Sequence, residues 1–372
     1  KMNLRGEAMA EKKPFIPNKL PLGDKINPLL FMNDLIKANT KIGIYNTLLN
    51  QSKINKRLLI APIALQEAVL STKIEGTQVT VDDVLESRVD EKATTEDVQE
   101  VFNYTDALLA GRVLLDRLPI SSRLIKELHK KLLDGNVRGN NRCPGEFRKI
   151  QNYIGPEGCD IKTASFIPPE PQLVEEYISN LEKYINEPSD DIDPLIRIAI
   201  IHAQFETIHP FLDGNGRIGR ILIPLYLYKE GLVDEPNFFL SETLEKDKHK
   251  YYRLLNDTRE PENWNEWIKF FLESSIKQAN KNISLINEIN ELYYRDLEKI
   301  KNIINTSSIT DILDVMFERP IFNAKLMSEM TGINITTIRR YLNQLEDKKV
   351  IFSDNKARNK KYYYYDLLEL IR

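Results

Sequence analysis

A mainly helical protein is the fold class this sequence predicts, and three observations predict it. Apolar residues recur at helical spacing through most of the chain, strand signals are few, and only the last sixty-odd residues change rhythm. Up to about Pro28 the chain is polar and proline-punctuated, which predicts an extended start. Helical periodicity then covers Pro28–Ala38, Ser52–Glu75, Thr94–Leu115, Ser121–Leu133, Glu170–Asn186 and Asp193–Ile208. It resumes over Arg217–Glu230, Lys246–Asp257, Trp264–Asn280 and about Ile283–Asn305. Between Cys143 and Pro169 the pattern breaks. Short apolar pieces, Ile150–Ile154 and Ala164–Ile167, flank the turn-forming Gly155-Pro156-Glu157-Gly158, so this stretch predicts a loop or short hairpin. Near the end, helices are expected over Thr310–Phe317, Asn323–Met330 and Thr336–Asp347. Two strands, Val350–Ser353 and Lys361–Tyr365, follow around a basic tip. Three helices and a hairpin make a winged-helix pattern.

Composition narrows the function classes. Of 372 residues, 42% are hydrophobic and 29% charged, the balance of an ordinary globular chain. A net charge of -3 gives the whole chain no strong pull towards nucleic acid or membrane. The two cysteines, Cys143 and Cys159, show no zinc spacing and suit a reducing compartment better than a disulfide-stapled fold. No apolar run reaches the roughly 18 residues of a membrane span. The first twenty residues lack a signal-peptide core. A cytoplasmic protein is expected.

The chemistry concentrates in Ile208-His209-Pro210-Phe211-Leu212-Asp213-Gly214-Asn215-Gly216-Arg217-Ile218-Gly219-Arg220. The helix before it is apolar almost all round, and Pro210 disfavours helical geometry at His209. A tight loop thus joins two buried helices, the second expected to begin near Arg217. Glycines let backbone N–H groups approach a ligand, and a helix N-terminus adds its positive end, which together suit a phosphate. Arg217 and Arg220 lie three apart on one helical surface, and guanidinium forks match phosphate oxygens. Asp213 can hold Mg²⁺ through one carboxylate, with phosphates and water completing its shell. His209 is a base that titrates near physiological pH. Taken singly, a His-Pro pair is punctuation and first-turn arginines are ordinarily solvated; their coincidence within twelve residues is harder to dismiss. Gly214-x-Gly216-x-x-Gly219 also fits the dinucleotide fingerprint, but a helix rather than a strand precedes it, so a Rossmann reading fails. No P-loop lysine is present.

These residues resemble the full signature of the Fic family (filamentation induced by cAMP): His209-Pro210-Phe211-x-Asp213-Gly214-Asn215-Gly216-Arg217-x-x-Arg220. The resemblance implies a Fic helical core that transfers AMP from ATP to a Ser, Thr or Tyr hydroxyl of a protein. It implies His209 as the base, Asp213 as the Mg²⁺ ligand, and Gly214, Asn215, Gly216 and Arg217 as phosphate binders. Arg220 would take the outer phosphates. One of Tyr251 and Tyr252 would face the adenine, although paired tyrosines in a helix also commonly fill a core.

A second motif, Ser71-Thr72-Lys73-Ile74-Glu75-Gly76, closes a helix. Gly76 reads as the residue just past its end, and Glu75 stands in a last turn where the helix dipole disfavours a negative charge. Ser71 shares its face. An exposed glutamate of this kind costs little, but the pattern resembles the inhibitory motif of Fic proteins, in which the glutamate pairs with the second signature arginine, here Arg220. Gly145-Glu146-Phe147-Arg148 and the loop to Ser165-Phe166-Ile167-Pro168-Pro169 resemble the family's flap, which aligns a target segment by strand addition. His202 reads as a core histidine. His129 and His249 carry no signal.

Four parts are expected: an N-terminal helical region over 1–110, a catalytic core over 111–280, a helical linker over 281–305 and the winged helix over 306–372. From Asn323 onward ten Lys/Arg face six Asp/Glu. Arg339 and Arg340 on the third helix and Lys356, Arg358, Lys360 and Lys361 at the wing could mark DNA; a protein contact or a homodimer is the alternative. The expected partners are ATP and a hydroxyl-bearing protein, the chain itself included, with no membrane. The alternatives to AMP transfer are its removal, another nucleotide on the same cradle, or a nucleotide-sensing regulator.

Overall fold

The computed structural model describes residues 13–372 apart from 91–93, 157, 260–261 and 357. The expected extended start before residue 13, and Glu157 of the glycine-proline turn, lie outside the described residues. In chain order the helices are α1 (Met32–Gln51), α2 (Lys56–Ile74), α3 (Val81–Ser87), α4 (Glu96–Leu114), α5 (Ser122–Leu132), α6 (Val174–Asn186), α7 (Pro194–Ile208) and α8 (Asn215–Lys229). They continue with α9 (Ser241–Lys246), α10 (Lys248–Asp257), α11 (Trp264–Lys301), α12 (Ile309–Glu318), α13 (Ala324–Thr331), α14 (Ile335–Asp347) and α15 (Tyr365–Ile371). Strands β1 (Ile321–Asn323), β2 (Phe352–Ser353) and β3 (Lys361–Tyr363) form one antiparallel sheet in the order β1-β3-β2.

The chain divides into two compact units of interleaved segments rather than consecutive domains. One comprises the chain up to Ile36, Asp106–Glu230 and Asp247–Glu273; the other comprises Lys37–Thr105, Gly231–Lys246 and Ser274–Arg372. The two helical stretches expected over 264–305 are one helix, α11, because neither glycine nor proline interrupts it. Its later half, where a helical linker is expected, buries Ile286, Ile289 and Ile300. The elements that periodicity missed, α3, α9, α15 and β1, are each seven residues or fewer, about two turns or less.

In the first unit α7 is the core. Asp193 caps its start by accepting from the Leu195 N–H, Pro194 occupies the first turn, and every residue from Leu195 to Ile208 is buried. Burying each large aliphatic side chain contributes about 1.5–3 kcal/mol. Trp267 of α11, itself wholly buried, donates its indole N–H to the Ala199 carbonyl at 2.8 Å. α8 packs alongside α7. Gly219 makes that approach feasible, since a Cβ there would stand 2.5 Å from Glu206 Oε1.

In the second unit buried Glu67 ties α2 to its neighbours. Its carboxylate accepts from the Tyr104 hydroxyl at 2.7 Å and from the N–H and hydroxyl of Ser241 at 3.1 and 2.6 Å. The sheet, α12, α13 and α14 belong to the same unit. Among the described residues no helix is long and apolar enough to cross a membrane.

Candidate active site

The first unit's site is built on the end of α7. His209 takes a left-handed backbone (φ 49°, ψ 60°), which is uncommon for a residue with a side chain. Pro210 cannot continue the helix, and the carbonyls left at the helix end need partners. Arg148 supplies them. Its Nε donates to His209 O at 2.9 Å, its Nη2 to the Ile208 and Pro169 carbonyls, and its own N–H to Pro210 O at 2.8 Å. Only 3% of Arg148 is exposed. Burial draws its pKa down to about 10, so it stays charged at neutral pH. Asn152 adds a bond from Nδ2 to Phe211 O at 3.0 Å.

The imidazole of His209 is oriented by the preceding turn. Nδ1 lies 3.3 Å from Glu206 O and 3.9 Å from Glu206 Oε2. A carbonyl partner requires the proton on Nδ1, which leaves the lone pair on Nε2 for proton abstraction. Glu206 is 7% exposed, and buried Arg259 stands over the same carbonyl, donating from Nε to the Thr207 hydroxyl at 3.2 Å.

After Pro210 the chain turns sharply. Gly214 is left-handed (φ 78°) and α8 starts at Asn215, two residues earlier than the sequence suggests. Asn215 clasps the turn: its Oδ1 accepts from Phe211 N at 2.8 Å and its Nδ2 donates to Phe211 O at 2.9 Å. The buried amide thus shapes the loop with both of its ends. No side chain caps α8, so its first-turn N–H groups, at Asn215, Gly216 and Arg217, bring the positive helix end to the turn.

The solvated alternative for the arginines is overturned. Arg217 is 0% and Arg220 2% exposed. Buried guanidiniums are costly unless anions answer them, so two of them on one helix face make a positive wall. Asp213, about a third exposed, meets Arg217 at 3.4 Å, and its Oδ1 accepts from the Gly214 N–H at 2.6 Å. Gly139 (φ 86°) lies so close that a Cβ there would stand 2.9 Å from Asp213 Oδ2.

His129, silent in the sequence, proves to be a support of this turn. Its Nδ1 accepts from Gly145 N–H at 2.8 Å, so the Nε2 proton goes to Asp213 O at 3.0 Å. The ring stacks on Phe211 with centroids 3.7 Å apart. Burial, aided by the Arg217 charge, lowers its pKa to about 4. His202 is held likewise: Nδ1–H donates to Gly219 O at 3.1 Å and Nε2 accepts from the Tyr251 hydroxyl at 2.9 Å. Tyr251 is 1% exposed and lies in the core, the alternative weighed for the pair; of the two tyrosines only Tyr252, 39% exposed, presents surface.

Among the described residues the flap region has one antiparallel bridge, Ile154 with Phe166. Phe166 and Ile167 are buried, the Arg259 guanidinium lies 3.5 Å over the Phe166 ring, and Gln151 donates to Pro168 O at 2.9 Å. Ser165 N–H donates to Ile154 O at 2.7 Å, while Ile167 O accepts from the chain's own Phe15 N–H at 2.9 Å.

In the second unit α2 ends on Glu75, partly buried, with Ser71 fully buried one turn earlier. Gly76 (φ 106°) turns the chain, its N–H donating to Lys73 O at 3.0 Å, and Thr77 N–H reaches Thr72 O at 3.4 Å, a Schellman closure.

Comparison with known proteins agrees with this geometry. Residues 119–227 match the Fic/DOC family and residues 32–112 its N-terminal family, together about half of the chain. A protein adenylyltransferase Fic of Drosophila grimshawi is 30% identical over 194 residues, covering 50% of this chain and 37% of that protein. A probable protein adenylyltransferase of Aquifex aeolicus is 28% identical over 198 residues, covering 52% and 55%. The chain thus spans between about a third and just over half of those relatives. A Fic family protein from Desulfovibrio desulfuricans shares the fold with TM-score 0.58 at 18% identity, covering 95% of this chain and 98% of that one. A Fic domain signaling protein from Bacteroides thetaiotaomicron does so at 0.55 and 19%, covering 69% and 97%. By its signature turn, its fold and these matches, this chain belongs to the Fic/DOC family.

Proposed function

We propose that this chain is a protein adenylyltransferase that moves AMP from ATP to a hydroxyl side chain and is restrained by Glu75 acting on Arg220. The observation that carries the reading is the turn itself: a base at His209 beside an uncapped helix start with two buried arginines. A hydroxyl oxygen attacks the α-phosphorus, the bond from that phosphorus to the β-phosphate bridge breaks, and pyrophosphate leaves. The hydroxyl proton goes to His209 Nε2. Such a transfer needs in-line placement and charge neutralisation above all, which the N–H groups of Gly214–Arg217 with Arg217 and Arg220 would supply.

The donor set fits Mg²⁺ in one way only. Among the described residues no three carboxylate, histidine or cysteine side chains gather as a metal cage. Asp213 offers a single, partly exposed carboxylate, which suits an ion that takes its other ligands from phosphate and water. Bound there, the ion would neutralise phosphate charge.

Glu75 is a partly buried carboxylate at a helix end, and Arg220 a buried cation of α8. A glutamate in the place of the outer phosphates would exclude ATP's productive pose. The relatives named as adenylyltransferases support the activity. The regulator reading has less behind it: of the wing cations, Lys356, Lys360 and Lys361 are paired with Asp354, Glu346 and Glu86. Arg339 and Arg340 remain exposed on α14, in an arrangement of helices and sheet that suits a winged helix.

Incubation with ATP labelled at the α- or γ-phosphate tests this. The α-label should appear on protein, most strongly in Glu75→Gly. His209→Ala should lose about 10²–10⁴-fold of the incorporation while nucleotide binding survives. Label from the γ-phosphate alone, or undiminished activity in His209→Ala, would overturn the mechanism; Glu75→Gly behaving as the unaltered chain would remove the brake.

A further inference from the structure

We infer that the second unit carries a regulatory site for a small organic anion with an apolar body, built against the end of α2 that bears Glu75. The inference rests on the reading of Glu75 as a brake. A cavity of about 630 Å³ lies wholly within that unit, between the end of α2, the segment after it, α9, α11 and the end of α15. That volume is within the usual range for small-molecule pockets.

Its lining mixes two characters. Val69, Val79, Val81 and Ile371 contribute hydrocarbon. Lys73, Lys246, Lys281 and Arg372 contribute cations. Lys73 pairs with Glu245 at 3.0 Å and Arg372 with Asp82 at 2.6 Å, but Lys246 and Lys281 both lean on the single carboxylate of Glu242. These side chains therefore keep one positive charge in excess. An excess cation beside hydrocarbon selects a monoanion that also covers the apolar lining, over inorganic phosphate or an uncharged apolar molecule.

Thr77 is an independent sign. It lines the cavity, is 3% exposed, and its hydroxyl is buried with no hydrogen-bond partner among the described residues. Leaving a hydroxyl so is costly, and a rotation about χ1 that turns it to the cavity offers a donor to a ligand carboxylate.

The site would act on Glu75 through the helix end. The Lys73 carbonyl and the Thr77 N–H are both bonded into the turn that holds Glu75. A carboxylate that draws the Lys73 ammonium from Glu245 and turns Thr77 pulls on that turn from both sides. It shifts the turn by as much as its affinities for the two positions differ.

Octanoate is a suitable probe. Titrated calorimetrically into the full chain, it should fill one saturable site with a Kd of about 1 mM or tighter, unchanged in His209→Ala. Thr77→Val, nearly isosteric, should weaken it about three- to tenfold without lowering Tm, and Lys281→Ala about tenfold. Octanol and inorganic phosphate should each bind at least about tenfold more weakly. No saturable binding, indifference to both substitutions, or equal binding of phosphate would overturn the site. Saturating octanoate should also raise AMP incorporation severalfold in the unaltered chain and leave Glu75→Gly unchanged. Binding without that rise overturns the coupling alone, whereas failure of the brake shows separately as unaltered activity in Glu75→Gly.

Discussion

Two helix ends carry the two acidic or basic groups on which the proposed function turns, and they are closed in opposite ways. α2 ends on Glu75 and hands the left-handed turn to Gly76, where no side chain resists it. α7 ends on His209, which takes the left-handed conformation itself. A relaxed end suits a carboxylate that has only to stand at a helix terminus. A strained one persists only where its surroundings over-determine it, and around His209 they do: Arg148 and Asn152 hold the carbonyls of His209, Pro210 and Phe211, and Glu206 the ring. The difference locates where geometry is demanded of the chain and where it is merely allowed.

The sharpest way to break this comparison is to take away the clamp. Arg148→Met keeps the length and the apolar contact but removes donors to the His209, Ile208 and Pro169 carbonyls. Buried hydrogen bonds from a charged group contribute about 1.5–3 kcal/mol each, so stability should fall by several kcal/mol. AMP incorporation should drop about 10²-fold, the usual consequence of misplacing a reacting group by an ångström. Chemical denaturation and α-label incorporation measure the two. A variant with both intact would show that the left-handed turn holds itself.

This also marks what was legible in the sequence. The signature from His209 to Arg220 is contiguous, so its residues announce one another. The residues that hold it are scattered: His129 reaches Asp213 across 84 positions and Arg148 reaches His209 across 61. A lone histidine on an amphipathic helix has no periodic signal separating support from filling. Glu206, one turn before His209, was the readable exception, since i and i+3 share a face. Most long helices declared themselves by period, though α1 runs to Gln51, well past the expected Ala38, and α3 and α9 were too short to show one. α3 was still discoverable from its capping box, Thr80 with Asp83. The burial of Arg217 and Arg220 was not legible, because residue type alone favours surface for arginine.

The turn after the strained end can be probed through protons. His129 and His202 are kept neutral by burial, each with its pKa lowered to about 4. In the unfolded chain each takes up its proton near pH 6.5, so between 6.5 and about 4 the unfolded state binds more protons and folding weakens as pH falls. Above 6.5 their contribution is fully present. The slope is about 1.4 kcal/mol per pH unit for each histidine. His129→Gln keeps an acceptor for Gly145 N–H and a donor for Asp213 O but cannot titrate. Denaturation midpoints between pH 7 and 5 should therefore fall less steeply in His129→Gln, by one histidine's share. Identical slopes would mean that His129 is protonated in the folded protein.

The smallest effect belongs to the relaxed end. Gly76→Ala asks a side chain to sit at φ 106°, which glycine alone tolerates easily. The cost should be about 1 kcal/mol, read as a Tm lower by about 2–4 °C. Because Glu75 directly precedes this turn, the same change should loosen its carboxylate and raise AMP incorporation modestly, well short of Glu75→Gly. An alanine that raised Tm would show that the turn is not left-handed in solution. An alanine that lowered Tm without touching activity would show that the closure of α2 and the restraint of the enzyme are separate matters, with Glu75 held by contacts other than its helix end.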